Sequence, residues 1–137
     1  MGITKKAYVC MNHQLTDEQK EALSKLMRAE IKVVNASPSI KEIFSNIPTD
    51  FEAYQVRNLA KAIRREVEKV NADCVFITGH AWVVAFVYEE IERRYELPFK
   101  PWMIDSVSER VSVDIPQPDG TIKKVSDFKF VRWRIMT

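Results

Sequence analysis

Glycine is scarce in this chain. Its 137 residues hold three, Gly2, Gly79 and Gly120, so there is no glycine-rich dinucleotide fingerprint, and neither a Walker loop nor a nucleophile elbow is present. Long apolar runs are missing too. The longest, Ala81 to Tyr88, is far too short to span a bilayer, and Met1 to Lys6 has no apolar signal core. A cytoplasmic protein with no membrane partner is expected. Cysteine is limited to Cys10 and Cys74, both inside predicted strands. Buried free thiols in a reducing compartment fit better than a disulfide. With only two histidines, His13 and His80, at spacings unrelated to the cysteines, no zinc site is recognisable and no metal or cofactor is expected. Excess charge is also missing. A net charge of +2 argues against a duplex-DNA binder while leaving room for a local basic patch.

What remains is the composition of one soluble globular domain over residues 1–137, 46% hydrophobic and 29% charged. Apolar and amphipathic segments alternate along it. Strands are predicted at Ala7–Met11, Ile31–Val34, Asp73–Thr78 and Lys100–Ile104. Between them, Thr16 with Gln19 three residues on forms a capping-box pattern, with Leu23, Leu26 and Met27 as the apolar stripe of the helix. A short helical piece, Ser39–Asn46, lies between Pro38 and Pro48. A longer helix, Asp50–Val70, repeats Val56, Leu59, Ala60, Ile63 and Val67 at helical spacing. Arg57, Lys61, Arg64 and Arg65 then form a solvated outer face.

The helix Ala81–Tyr95 begins Ala-Trp-Val-Val-Ala-Phe-Val, apolar on every side, which predicts burial on more than one face. Either a second subunit or the C-terminal hairpin would cover it. That hairpin is predicted from Arg110–Ile115, the turn Pro116–Gly120 and Thr121–Val125, followed by a last strand, Phe128–Met136. A βαβαβαβ order with a β-rich tail predicts an α/β fold: a Rossmann-like, mainly parallel sheet flanked by helices, with a C-terminal β-hairpin.

Each apolar strand stops in small polar residues: Asn12-His13, Asn35-Ala36-Ser37, Thr78-Gly79-His80 and Asp105-Ser106. Parallel strands would line these stops along one edge, where open α/β sheets bind ligands. Such residues are also ordinary turn chemistry. At Gly79-His80 the signal is sharper. The glycine admits a ligand close to the backbone, Ala81 opens a helix whose N-terminal N–H groups attract anions, and the imidazole can donate or move a proton. In the last strand, period two puts Phe130, Arg132 and Arg134 on one face. Arginine suits phosphate and an aromatic ring suits a base, although charges also protect an edge strand. These residue types suffice for RNA cleavage by geometry, in which the 2′-hydroxyl is held in line with the scissile phosphate and no metal is needed.

Four segments, Asn12–Gln19, Phe44–Pro48, Ile77–His80 and Phe128–Arg134, occur in an order and spacing that resembles the small stand-alone CRISPR-associated proteins of type III systems. That group has a minimal Rossmann-like fold and includes the ring nucleases, which cleave cyclic oligoadenylate messengers. After Gly79 the group carries an acidic residue and a further glycine, where this chain has His80-Ala81-Trp82. Its hairpin, Val111–Val125, is also longer than a minimal member needs.

The resemblance implies a metal-independent phosphodiesterase acting on cyclic oligoadenylate, above all the tetra-adenylate. Its products would be short linear oligoadenylates ending in 2′,3′-cyclic phosphate. Such an enzyme switches off antiviral signalling. A non-catalytic sensor or sponge for the same ligand is the alternative. The implied assembly is a homodimer with the ring across its two-fold axis. His80 and His13 are the candidate catalytic residues. Asn12, Ser37, Asn46, Thr78, Gly79, Ala81, Arg132 and Arg134 are the candidate ligand-binding residues.

Overall fold

The computed structural model describes residues 2–94 and 100–136. Among them the chain runs β1 (Thr4–Cys10), α1 (Asp17–Met27), β2 (Glu30–Asn35), α2 (Pro38–Ser45), α3 (Ala53–Val70), β3 (Cys74–Ile77), α4 (Ala81–Arg94), β4 (Trp102–Pro116) and β5 (Ile122–Ile135). The expected end of the fourth long helix at Tyr95 lies outside the described residues. One five-stranded sheet has the order β2-β1-β3-β4-β5. Its first four strands are parallel and β5 runs antiparallel to β4. The α/β class and the mainly parallel sheet are as the sequence predicts.

Alternation along the strands sorts two cores. Tyr8, Cys10, Val75, Ile77 and Met103 face α2, α3 and α4, meeting Phe44, Leu59, Ile63, Val83 and Val87. Ala7, Val9, Cys74, Phe76 and Ile104 face α1, meeting Leu23, Met27 and Trp133. The periodic stripe of α3 is buried throughout. At the start of α1 the capping box is complete: the Gln19 N–H donates to Thr16 Oγ1 at 3.1 Å and the Thr16 N–H to Gln19 Oε1 at 2.9 Å.

Both cysteines are buried free thiols. Burial pushes each up from 9.0 to about 12, aided by the negative charge of Glu66 at Cys10 and of Asp73 at Cys74. A folded thiol therefore keeps its proton above the pH at which an unfolded one loses it. The associated stability is whole below pH 9 and is lost as pH rises from 9 toward 12. The expected slope is about 1.4 kcal/mol per pH unit per thiol once unfolded thiols ionise. Tyr8, also raised by burial and then by its hydrogen bond to Glu66, adds only above pH 10. Urea titrations at pH 8 and 10 should reveal the loss, and a Cys10→Ala/Cys74→Ala double variant should flatten it. An unchanged slope in that variant assigns the loss elsewhere.

The tail departs from expectation. Instead of a strand ending at Ile104, a separate hairpin and a last strand, β4 and β5 are each continuous, in register from Ile104↔Ile135 to Pro116↔Ile122. Asp105-Ser106 reads as a strand end, but Asp105 lies opposite Arg134 and is ion-paired with it at 2.8 Å. Nothing breaks the chain before Pro116. A β-bulge then shifts the register. Val107 pairs with Arg132 and Ser108 with Phe130, leaving Val131 unpaired. The extra residue resets the alternation. Phe130 joins Trp133 instead of the arginines, with ring centroids 5.5 Å apart. The predicted face of Phe130, Arg132 and Arg134 does not exist. Because β3 pairs β4 only from Trp102 to Ile104, the outer halves of β4 and β5 stand beyond the sheet as a two-stranded arm.

Candidate functional site

From β1 the chain adds β2 on one side, then crosses to add β3 and β4 on the other. The carboxyl ends of β1 and β3 flank this crossing point, where parallel sheets leave a crevice. Backbone bonds tie the ends together: the Thr78 N–H donates to the Cys10 carbonyl at 3.1 Å and the Ala36 N–H to the Val9 carbonyl at 2.9 Å. Asn12, His13, Ser37, Thr78, Gly79, His80 and Ala81 therefore stand along one edge. All but half-buried Ser37 are exposed.

Gly79 has φ +148°, and a Cβ there would sit 2.7 Å from the Phe44 ring. Only glycine makes this turn without displacing that ring. Two of the sequence segments singled out above thus meet in space. His80 then starts α4: its carbonyl accepts the Val84 N–H at 3.1 Å. The N–H groups of the first turn, and the positive end of the helix dipole, face the same edge.

Two clefts open here. One, of about 650 Å³, is lined by Met11, His13, Thr16, Thr78, Ser106 and Lys129, with Phe128 and Phe130 from the arm. The other, of about 580 Å³, holds His80 among Pro48, Phe51, Arg57, Trp82 and Phe86. The histidines therefore serve different clefts. Thr78 lines the first with His13, and Gly79 lies on the turn between the clefts.

Sequence reasoning missed the walls of the second cleft. Trp82 and Phe86, four residues apart on α4, stand 5.6 Å from centroid to centroid, and the Arg57 guanidinium lies 4.6 Å over the Phe86 ring. The charge run predicts Arg57 on a solvated face, yet it lies over Phe86. The all-apolar start of α4 predicts burial on more than one side. In fact Val83, Val87 and Ile91 turn inward, while Trp82 is 64% exposed. The spacing of Trp82 and Phe86 at i and i+4 was the available signal.

The remaining candidates are more occupied. The Ser37 N–H donates to Glu66 at 3.0 Å, and the Ser37 and Ser39 hydroxyls are 3.2 Å apart. Asn46 ends α2, its N–H donating to the Ile43 carbonyl at 3.2 Å. The cleft wall begins one residue later, at Ile47. Arg134 is held by Asp105, whereas the Arg132 guanidinium is 3.4 Å from the Trp133 carbonyl. The Tyr88 hydroxyl of α4 is pushed up by burial and by Asp105 and drawn down by Arg134, so this pair lies on the α4 side of the sheet. Among the described residues no three His, Cys, Asp or Glu side chains gather into a metal-binding group, and no helix is long and apolar enough to cross a membrane.

No curated protein and no solved structure matches the chain. A family model does match, over residues 5–134, and by it the chain belongs to the family described as uncharacterized protein MJ1673.

Proposed function

We propose that this Rossmann-like domain binds cyclic oligoadenylate at the strand-end crevice and cleaves it, acting as a ring nuclease that switches off type III CRISPR signalling. The observation that carries the reading is the Gly79-His80 turn at the β1/β3 crossing point. There a helix N-terminus and an imidazole meet on one exposed edge, while the missing Cβ of Gly79 makes room for the Phe44 ring and not for a ligand. The rings of Trp82 and Phe86 offer stacking surfaces for adenine, and Arg57 and Arg132 offer charge for phosphates.

In the reaction the substrate's 2′-oxygen forms a bond to the adjacent phosphorus as the bond from phosphorus to the 5′-oxygen breaks. The 2′-hydroxyl proton is lost and the 5′-oxygen gains one, leaving a linear product with a 2′,3′-cyclic phosphate. Helix N–H groups stabilise charge on the phosphoryl oxygens and His80 handles a proton.

A second reading, a sensor or sponge that binds without cleaving, is favoured by one observation: His13 and His80 line different clefts and do not form an acid–base pair. The experiment is incubation with a molar excess of cyclic tetra-adenylate in EDTA. Multiple turnover supports the enzyme, stoichiometric binding without product supports the sensor, and no binding refutes both.

The arginines should differ. Arg132→Ala should weaken binding by about 1.5–3 kcal/mol, the loss of a charge-assisted hydrogen bond. Arg134→Ala should weaken it less, because Asp105 already holds that guanidinium. Isothermal titration of both variants tests this, and wild-type affinity in Arg132→Ala would remove Arg132 from the site.

A further inference from the structure

We propose that the outer edge of β5 is the surface through which two copies of this chain pair, antiparallel and centred on Val125. Among the described residues β5 is an edge strand of the sheet. Beyond Ser108 it is backed by β4 alone, and a two-stranded ribbon standing free in water is marginal. Natural edges are kept short, broken by proline, or guarded by lysines and bulges; Lys123, Lys124, Lys129 and the bulge at Val131 guard this one in part. This one is 14 residues long and holds neither proline nor glycine. It exposes Ile122 and Phe128 at 64% and 66%. That is the profile of an edge waiting for a strand.

Charge selects the occupant. From Ser108 to Phe130 the arm carries Arg110, Lys123, Lys124 and Lys129 against Glu109, Asp114, Asp119 and Asp127, with no net charge. A polyanion has nothing to favour there. A second copy does, in the register centred on Val125. A two-fold axis normal to the ribbon pairs only residues on the same face. Centred on Val125, Lys123 meets the partner's Asp127 and Ile122 meets the partner's Phe128. Each pairing occurs twice by symmetry, charge on charge and apolar on apolar. Centring one residue to either side sets Lys124 against its own copy, or Lys123 against the partner's Lys129. Within each chain Val113 lies opposite Val125. The four-stranded sheet would therefore run a row of four valines through the axis. The inward-turned stripe of α4 needs no partner, so this edge takes over the dimer contact that the helix had suggested.

The test needs no nucleotide. Light scattering of the wild-type chain at micromolar concentration should give twice the 16.0 kDa of one chain; a monomer overturns the proposal. Val125→Cys should form a covalent dimer on mild oxidation. Ser112→Cys, on the inner strand of the arm, should not. The native thiols are buried and leave a low background. Equal cross-linking at both positions, or none at Val125, overturns it. Lys123→Asp should shift the mass toward monomer, and Lys123→Asp/Asp127→Lys should restore the dimer. A dimer indifferent to the single reversal rules out this register. The cross-link decides the matter even where a charge variant folds poorly.

Discussion

Trp133→Ala should destabilise the protein by about 3–5 kcal/mol, the range for removing a large buried aromatic side chain. Trp133 is 5% exposed on a strand whose other residues are mostly in water. Its ring meets the edge of Phe76 at 4.9 Å and tilts against Phe130 at 5.5 Å. Its indole N–H donates to the Gln19 carbonyl of α1 at 2.9 Å. One side chain thus joins β5, β3 and α1 at the root of the arm. Truncation leaves a cavity between sheet and helix and removes the donor from Gln19. Trp133→Phe keeps most of the packing and should lose about 1 kcal/mol for the hydrogen bond. Urea unfolding of both variants measures the difference. Hydrogen exchange should show the arm amides exchanging faster in Trp133→Ala. Near-wild-type stability in that variant would mean that the arm is rooted by its backbone ladder alone.

The second large effect is on rate. His80→Ala should slow single-turnover cleavage of cyclic tetra-adenylate in EDTA by about 10- to 10⁴-fold, from partial misplacement up to loss of an acid or base. Binding should fall less, because helix N–H groups, Arg132 and the Trp82–Phe86 wall remain. His13→Ala should matter less than His80→Ala, since His13 lines the other cleft and is not at the N-terminus of α4. Two results would revise the assignment. A larger loss at His13 moves the chemistry to the cleft under the arm. Wild-type rates in both variants leave positioning and the arginines as the source of any rate. His80→Gln, which keeps a hydrogen-bond donor, separates the roles: recovery of binding without recovery of rate identifies proton transfer.

Much of the crevice was legible because it depends on local chemistry repeated along the chain. Apolar runs ending in Asn12-His13, Ser37 and Thr78-Gly79-His80 identify strand ends whatever the topology, and parallel pairing aligns them. The capping box at Thr16 and the stripe of α3 are short-range patterns, and both were readable. The face of Phe130 was not. It turns on one unpaired residue, Val131, whose bulge is set by how β5 must register against β4. Nor was the role of Arg57, whose position over Phe86 depends on α3 and α4 lying side by side.

By itself, then, the amino-acid order determined the alternation of strands and helices, the inward stripes, the burial of both thiols and the polar edge at the strand ends. Each of these follows from the periodicity of side chains along one segment and from water's exclusion of apolar surface. Only the tertiary structure decided that the two histidines line separate clefts, that Asp105 continues a strand, and that the tail rises as one long arm. Those outcomes rest on pairings between residues far apart in the chain, Asp105 with Arg134 and Gly79 against Phe44. Their energies exist only once the sheet has brought the segments together.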